Sequence, residues 1–129
     1  MPATLDDVAA IVATLPGAVE GERGGGRTWL VNGKVFAWER GYSKADVKRA
    51  GDEVLPEPPL LGVRTADLDD KEAMLAAGHK GFFTIPHFDR YPAFLIHLKS
   101  VGRRPLKEAL VDAWLVFAPK ADAEAYLGR

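Results

Sequence analysis

The sequence contains no cysteine, and its 129 residues include only two serines, Ser43 and Ser100. The absence of cysteine excludes disulfides, thiolate metal sites and a cysteine nucleophile, and it makes a reducing cytoplasm the expected compartment. Neither serine lies in the glycine-flanked turn between a strand and a helix that exposes the nucleophile of many hydrolases. No residue is therefore assigned a catalytic role, and we expect a protein that is not an enzyme.

Long apolar runs and an excess of one charge sign are also missing. No apolar run approaches the roughly 20 residues needed to span a bilayer, and residues 1–15 lack the basic-then-apolar order of a signal peptide. Seventeen basic residues against eighteen acidic ones give a formal charge of −1. This balance excludes both a uniformly basic nucleic-acid coat and an acidic disordered tail. We expect one soluble domain over residues 1–129, with a cytoplasmic location.

Two segments near the first third of the chain alternate apolar and polar residues, over 27–31 and 34–40. Asn32-Gly33 between them readily adopts positive φ, so the pattern predicts a β-hairpin. The glycines at 24–26 follow a helix and precede a strand, which favours a flexible connector over a phosphate-binding loop. Alternation places Trp38 on the same face as Phe36 and Trp29 on the odd-numbered face of its own strand, so one tryptophan is expected to be exposed.

The remaining periodicity predicts helices over 5–15, from Asp67 to about Gly78 and from Pro105 to Phe117, with a further short helix at 121–127. Residues 60–64, 82–85 and 93–98 are typical of strands, and 86–92 of a turn. The charged, proline-rich segment 41–59 is expected to be a flexible loop with a short helical turn at most. The element order predicts a two-layer α+β domain, with an antiparallel sheet of about five strands and helices on one face.

Several sequence fragments, occurring in the same order along the chain, resemble the MmcQ/YjbR family. They are residues 15–17, 31–37, 82–88, Tyr91-Pro92, and 112–114 together with 118–120. The resemblance covers residues 5–127 and implies a CyaY-like fold and a DNA-binding protein with a double-wing motif. It supplies no catalytic residue and no cofactor. The segment 41–59 looks longer than is usual in the family.

Basic residues are segregated along the chain although the total charge is nearly zero. Residues 34–50 carry five cations against two carboxylates, and residues 73–107 carry six against one. A face that binds duplex DNA needs several cations together, and about four phosphate contacts would give a log–log salt slope near −3.6. The alternative is that these are ordinary solvated residues that keep the domain soluble. The hypothetical nucleic-acid contacts are Lys34, Arg40, Arg90, Arg103 and Arg104.

A second hypothesis is a protein- or small-ligand-interaction module that uses the groove between sheet and helices, with Trp38, His87 and Tyr91 as contacts. An enzyme would require His87, Asp89 and Tyr91 to line one pocket. His79, His87 and His97 with Asp89 are the only conceivable metal set. His87 and Asp89, two residues apart in a turn, could both face one ion, but there is no HExxH pattern and the three histidines need not converge, so no metal or other cofactor is expected. DNA, bound weakly and in a salt-dependent way, or a protein is the expected partner. We expect no membrane contact, and a monomer or small homo-oligomer.

Overall fold

A computed structural model describes residues 1–128 and contains one six-stranded sheet with five α-helices. The strands follow the order β1-β2-β3-β4-β6-β5, and every neighbouring pair is antiparallel. The predicted α+β class is therefore confirmed. The elements are α1 (Leu5–Val12), β1 (Val19–Arg23), β2 (Gly26–Val31), β3 (Lys34–Arg40), α2 (Lys44–Ala50), β4 (Leu60–Arg64), α3 (Leu68–Ala76), β5 (Phe82–Phe83), a 3₁₀ turn (Pro86–Phe88), β6 (Ala93–His97), α4 (Arg103–Phe117) and α5 (Lys120–Leu127).

The hairpin between β2 and β3 is present as predicted. Asn32 and Gly33 have φ values of 53° and 74°, which is the conformation that a two-residue turn of this type requires. The helix predicted from Asp67 is also confirmed, because the Asp67 side chain accepts the N–H of Asp70 at its first turn. Both features depend on residues close together in the chain.

The prediction of a flexible glycine connector is wrong. Gly24 and Gly25 have φ values of 58° and 82° and form a tight turn that pairs Arg23 with Gly26. The turn joins β2 to β1, an edge strand that the sequence reading missed. Because β1 is mostly polar and exposed, it lacks the apolar alternation by which a strand is recognised. The sheet consequently has six strands rather than five.

The segment 41–59 is more ordered at its start than expected. Ser43 caps α2 by accepting the N–H of Asp46, and Asp46 in turn accepts the N–H of Ser43. This reciprocal capping box satisfies two backbone donors and holds the helix. The remainder, residues 51–59, contains neither helix nor strand.

Strand β3 contains a β-bulge at Phe36, which places Phe36 and Trp38 on opposite faces of the sheet. Pairing shifts by one residue between Trp29 opposite Ala37 and Leu30 opposite Val35, so Phe36 is the extra residue. Phe36 and Ala37 are both fully buried in the core beneath the helices, whereas Trp38 belongs to the opposite face. The expectation that Phe36 and Trp38 share a face is therefore wrong, since strict alternation does not survive a bulge.

The two faces of the sheet are covered differently. Helices α1, α3, α4 and α5 pack on one face around the main apolar core, in which Trp29 and Trp114 are 1% and 0% exposed. On the other face, the 3₁₀ turn and neighbouring loop residues cover only the half of the sheet formed by β4, β6 and β5. Among residues 1–128, the apolar cluster on that face includes no residue of β1 or β2. Over residues 1–128, no helix has both the length and the apolar character needed to cross a membrane.

Candidate functional site

The five cations predicted to contact nucleic acid do not form one surface. Lys34 begins β3 and Arg40 ends it, so their backbones lie about 20 Å apart at about 3.3 Å per residue. Arg103 begins α4, and the far end of that helix is next to the hairpin turn, where the Asn32 amide donates to the Phe117 carbonyl. Lys34 therefore lies near the C-terminal end of α4, whereas Arg103 lies at its N-terminal end. The helix between them is about 21 Å long.

Arg40 is engaged in an internal ion pair. Its Nη1 lies 3.0 Å from Oδ2 of Asp46, whose side chain is 1% exposed, and its guanidinium stacks 5.5 Å from the Phe88 ring centre. Burial raises the pKa of the Asp46 carboxyl, but the N–H and hydroxyl of Ser43 and the guanidinium of Arg40 outweigh it and leave that pKa below its ordinary value. Arg40 therefore attaches α2 to the sheet and to the 3₁₀ turn.

Two further cations have carboxylate partners on the helical layer. Arg103 contacts Asp7 of α1 at 2.8 Å, and Arg104 contacts Glu108 one turn along α4 at 3.1 Å. Lys34 and Arg90 are exposed and form no ion pair with any residue between 1 and 128. The strand directions place Lys34, at the start of β3, and Arg90, in the turn before β6, at the same end of the sheet, away from Arg40 at the other end of β3.

The predicted histidine sets are dispersed. His79 follows α3 and contacts Phe82, His87 is exposed on the 3₁₀ turn beside Phe88, and His97 ends β6, where Nδ1 is 2.7 Å from the Ser100 hydroxyl. Within residues 1–128, no group of three or more histidine, aspartate or glutamate side chains is placed to hold a metal ion. His87 and Asp89 do not line the cleft described next, in which Tyr91 takes part.

One row of residues crosses the face of the sheet opposite the main core. From β1 to β4 the paired positions are Gly21, Thr28, Trp38 and Gly62. A Cβ atom at Gly62 would lie only 2.4 Å, 2.6 Å and 2.8 Å from three indole atoms of Trp38. The indole therefore lies flat against β4, in space available only because residue 62 has no side chain. By leaning towards β4, it leaves part of the surface on the β2 side of the indole uncovered, although Thr28 itself is buried.

A cleft of about 280 Å³ occupies this uncovered surface. Trp38 forms one wall and Tyr91, which is 42% exposed, forms another. Val35 adds an aliphatic side chain to the lining, and the exposed Arg23 has no ion-pair partner among residues 1–128. The complete lining is Arg23, Thr28, Val35, Trp38, Glu39 and Tyr91.

Of the predicted ligand contacts, the structure brings Trp38 and Tyr91 together and leaves His87 outside the cleft. The sequence analysis missed the other four lining residues, Arg23, Thr28, Val35 and Glu39. Alternation in β2 and β3 places Thr28 and Val35 on strands, but the bulge decides which face Val35 shares with Trp38. Arg23 gave no signal, since β1 itself was not recognised.

The position of Tyr91 is fixed by a buried lysine. Lys71 of α3 is 8% exposed, and its Nζ donates to the carbonyls of Phe88 and Tyr91, the latter at 2.9 Å. Burial lowers the pKa of Lys71, and the nearby Asp89 partly opposes this effect. A second anchor is the Arg64 Nε, which donates to the Pro92 carbonyl at 3.1 Å. The turn carrying Tyr91 is thus attached to both α3 and β4.

Comparison with known proteins gives relatives but no activity. No family model matches the chain. The "Uncharacterized protein Rv2570" of Mycobacterium tuberculosis H37Rv and "Uncharacterized protein Mb2600" of Mycobacterium bovis are each 42% identical over 130 residues, covering 98% of this chain and 98% of theirs. The crystal structure of Deinococcus radiodurans protein DR2400, described as a DUF419 domain, superposes with a TM-score of 0.65 at 18% identity, covering 98% of this chain and 88% of that one. The last comparison shows a shared fold.

Proposed function

This chain belongs to the same family as the uncharacterized mycobacterial proteins Rv2570 and Mb2600, and we propose that it is a non-catalytic protein that binds a small ligand in the Trp38 cleft. The observation that carries the proposal is the position of the Trp38 indole against Gly62, which builds an aromatic wall beside an uncovered part of the sheet. Ligand sites are typically concave and mostly apolar, with a few polar groups that give specificity.

The lining supports a ligand of particular chemistry. Trp38 and Tyr91 offer ring surfaces to a planar group, and such aromatic contacts contribute about 0.5–1.5 kcal/mol beyond burial. The Arg23 guanidinium at the rim suits an anionic substituent, because its planar fork matches a carboxylate or phosphate. The proposed ligand is therefore a flat ring system with one acidic group.

Trp38 provides a direct reporter of binding. Trp29 and Trp114 are 1% and 0% exposed, so an aqueous quencher such as acrylamide reaches Trp38 preferentially. Naphthoate carries a carboxylate where naphthylmethanol carries a neutral hydroxyl group, so the two serve as paired probes. Naphthoate should protect Trp38 from the quencher at lower concentration than naphthylmethanol, by about ten-fold if one charged hydrogen bond is lost.

Variants separate the two parts of the proposed site. Trp38→Leu should abolish the amide chemical-shift changes that both probes cause, and Arg23→Gln should reduce naphthoate binding to the level of naphthylmethanol. Arg104→Gln is the matched control, because Arg104 is an exposed arginine on α4 outside the cleft. If both probes bind Trp38→Leu as tightly as they bind the native chain, measured by amide chemical shifts, the proposal is refuted.

DNA binding is a second candidate, and the pairing of Lys34 and Arg90 at one end of the sheet favours it. We also propose membership of the MmcQ/YjbR family, whose DNA-binding label and double wings the resemblance implies. Lys34 lies at the β2–β3 hairpin and Arg90 in the turn before β6, so each would be the cation of one wing. Two phosphate contacts would give a log–log salt slope near −1.8 rather than the steeper value expected for four.

The test is anisotropy of a labelled duplex at increasing salt. Exchanging Lys34 and Arg90 together for glutamine should eliminate binding, whereas exchanging Arg103 and Arg104 should leave it unchanged, because those two arginines are ion-paired elsewhere. No binding by the native chain at low salt would exclude this function. The cytoplasmic location remains a prediction from the absence of cysteine.

A further inference from the structure

A second cleft, of about 350 Å³, opens between α3 and α4 on the helical side of the sheet. Its floor is apolar and includes Phe94 and Ala109, which are 0% and 1% exposed, and its walls include the half-buried Met74 and Leu115. The two clefts share no lining residue, although Arg64 of this cleft contacts the ring of Tyr91, which lines the Trp38 cleft. A cleft of this size accommodates a small molecule with a short aliphatic group.

Arg64 also lines this cleft. Its guanidinium lies 5.2 Å from the ring centre of Tyr91 and 5.0 Å from that of Phe117, and its Nε donates to the Pro92 carbonyl. No carboxylate of residues 1–128 forms an ion pair with it. Since the ring contacts already fix the guanidinium, a ligand carboxylate would bind it with little further loss of side-chain entropy.

Two carboxylates, Asp70 of α3 and Asp112 of α4, also line the cleft. Neither has a lysine, arginine or histidine partner within residues 1–128. Burial, and then the negative charges of Glu108 and Asp70, raise the pKa of Asp112. The pair thus repel one another across a concave site, and a cationic group placed between them would relieve that repulsion.

We propose that this cleft binds a small zwitterion of the amino-acid class. The Arg64 guanidinium receives the ligand carboxylate, Asp70 and Asp112 receive the ammonium group, and Met74 and Leu115 contact an aliphatic side chain. The opposite charges of the lining match the two charges of such a molecule, and the apolar floor matches its hydrocarbon part. A simple anion or a simple amine would satisfy only one side of this arrangement.

The probes are L-leucine, isocaproate, which lacks the amino group, and isoamylamine, which lacks the carboxylate. Titration into the ¹⁵N-labelled full chain should shift amide signals within residues 64–74 and 109–116. Leucine should bind at least about ten-fold more tightly than either singly charged probe, since each omitted group removes a charged hydrogen bond. Equal binding of isocaproate or of isoamylamine would overturn the zwitterion assignment, and so would the absence of leucine-dependent shifts.

Asp112→Asn and Asp70→Asn should each weaken leucine binding by about ten-fold, with little change in isocaproate binding. Both residues are exposed, so the variants are expected to fold. Asp69→Asn is the matched control, because it removes the neighbouring, exposed carboxylate of α3 that does not line this cleft. If Asp69→Asn weakens leucine binding as much as Asp70→Asn, general surface charge explains the effect and the proposal is refuted.

Discussion

The Trp38 indole occupies the space where a side chain at Gly62 would begin. Because the two residues are paired across β3 and β4, the ring lies flat on the neighbouring strand, and the contact depends on the missing methyl group. This relationship shapes the face of the sheet opposite the main core, with the indole over β4 and a cleft on its β2 side beside the buried Thr28. Gly62 therefore interrupts an otherwise apolar strand because the indole of Trp38 needs the space that a side chain would fill.

Gly62→Ala should displace the indole and destabilise the fold. The added methyl would lie within 2.8 Å of three ring atoms, so Trp38 must move, and overpacking of this kind costs about 1–3 kcal/mol. Urea unfolding measures the loss, and acrylamide quenching should show greater access to Trp38. Gly41→Ala is the control, since nothing lies within 4 Å of its new methyl. Equal stability and quenching in both variants would contradict the described packing.

Lys71→Met should loosen the turn that carries Tyr91. The substitution preserves most of the aliphatic side chain but leaves the carbonyls of Phe88 and Tyr91 without their ammonium donor. An unsatisfied buried polar group costs about 1–3 kcal/mol, so a loss of about 2 kcal/mol is expected. Faster amide hydrogen exchange in residues 86–92 should accompany it. The exposed Lys107→Met serves as control, and matching exchange rates in the two variants would show that Lys71 does not hold this turn.

Acid should destabilise the protein partly through Asp46. Its pKa is lower in the folded state than in the unfolded chain, so the charged carboxylate stabilises the fold above about pH 4, its unfolded value, and this contribution is lost as the pH falls through the folded value. Asp46→Asn should therefore lower the free energy of unfolding at pH 7, and its deficit relative to the native chain should shrink towards pH 2. Chemical unfolding at several pH values measures both curves.

The control for acid sensitivity is Asp52→Asn, an exposed carboxylate just after α2 that forms no ion pair within residues 1–128. Its stability curve should run parallel to that of the native chain. A deficit for Asp46→Asn that stays constant from pH 7 to pH 2 would mean that geometry, rather than the carboxylate charge, accounts for the loss.

Most secondary structure could be predicted because its signals are local. The turn at Asn32-Gly33, the cap at Asp67 and the apolar stripe of α4 each involve residues within a few positions of one another. The errors arise at features for which no such local signal exists. Strand β1 is polar and exposed and pairs by its backbone, so no side-chain pattern marks it. The bulge at Phe36 shifts the face of every residue before it, which alternation alone does not reveal.

The candidate site was predictable only in part. Trp38 and Tyr91 were identified as aromatic residues available for contact, but their meeting in one cleft depends on Lys71 and Gly62, which come from other elements. The predicted basic face did not form because Arg40 pairs with Asp46 and Arg103 pairs with Asp7. Counting charges along the chain does not show which of them will be neutralised by a neighbour in the fold.

The amino-acid order by itself determined the class of fold, since helical and strand periods and turn residues act over a few positions. Only tertiary structure decided which cations remain free and which aromatic residues share a cleft. The physical reason is that ion pairs and ring contacts act over a few ångströms and join residues far apart in the chain. Sheet register, the bulge and helix docking set those distances, and a shift of one residue reverses the face on which a side chain lies.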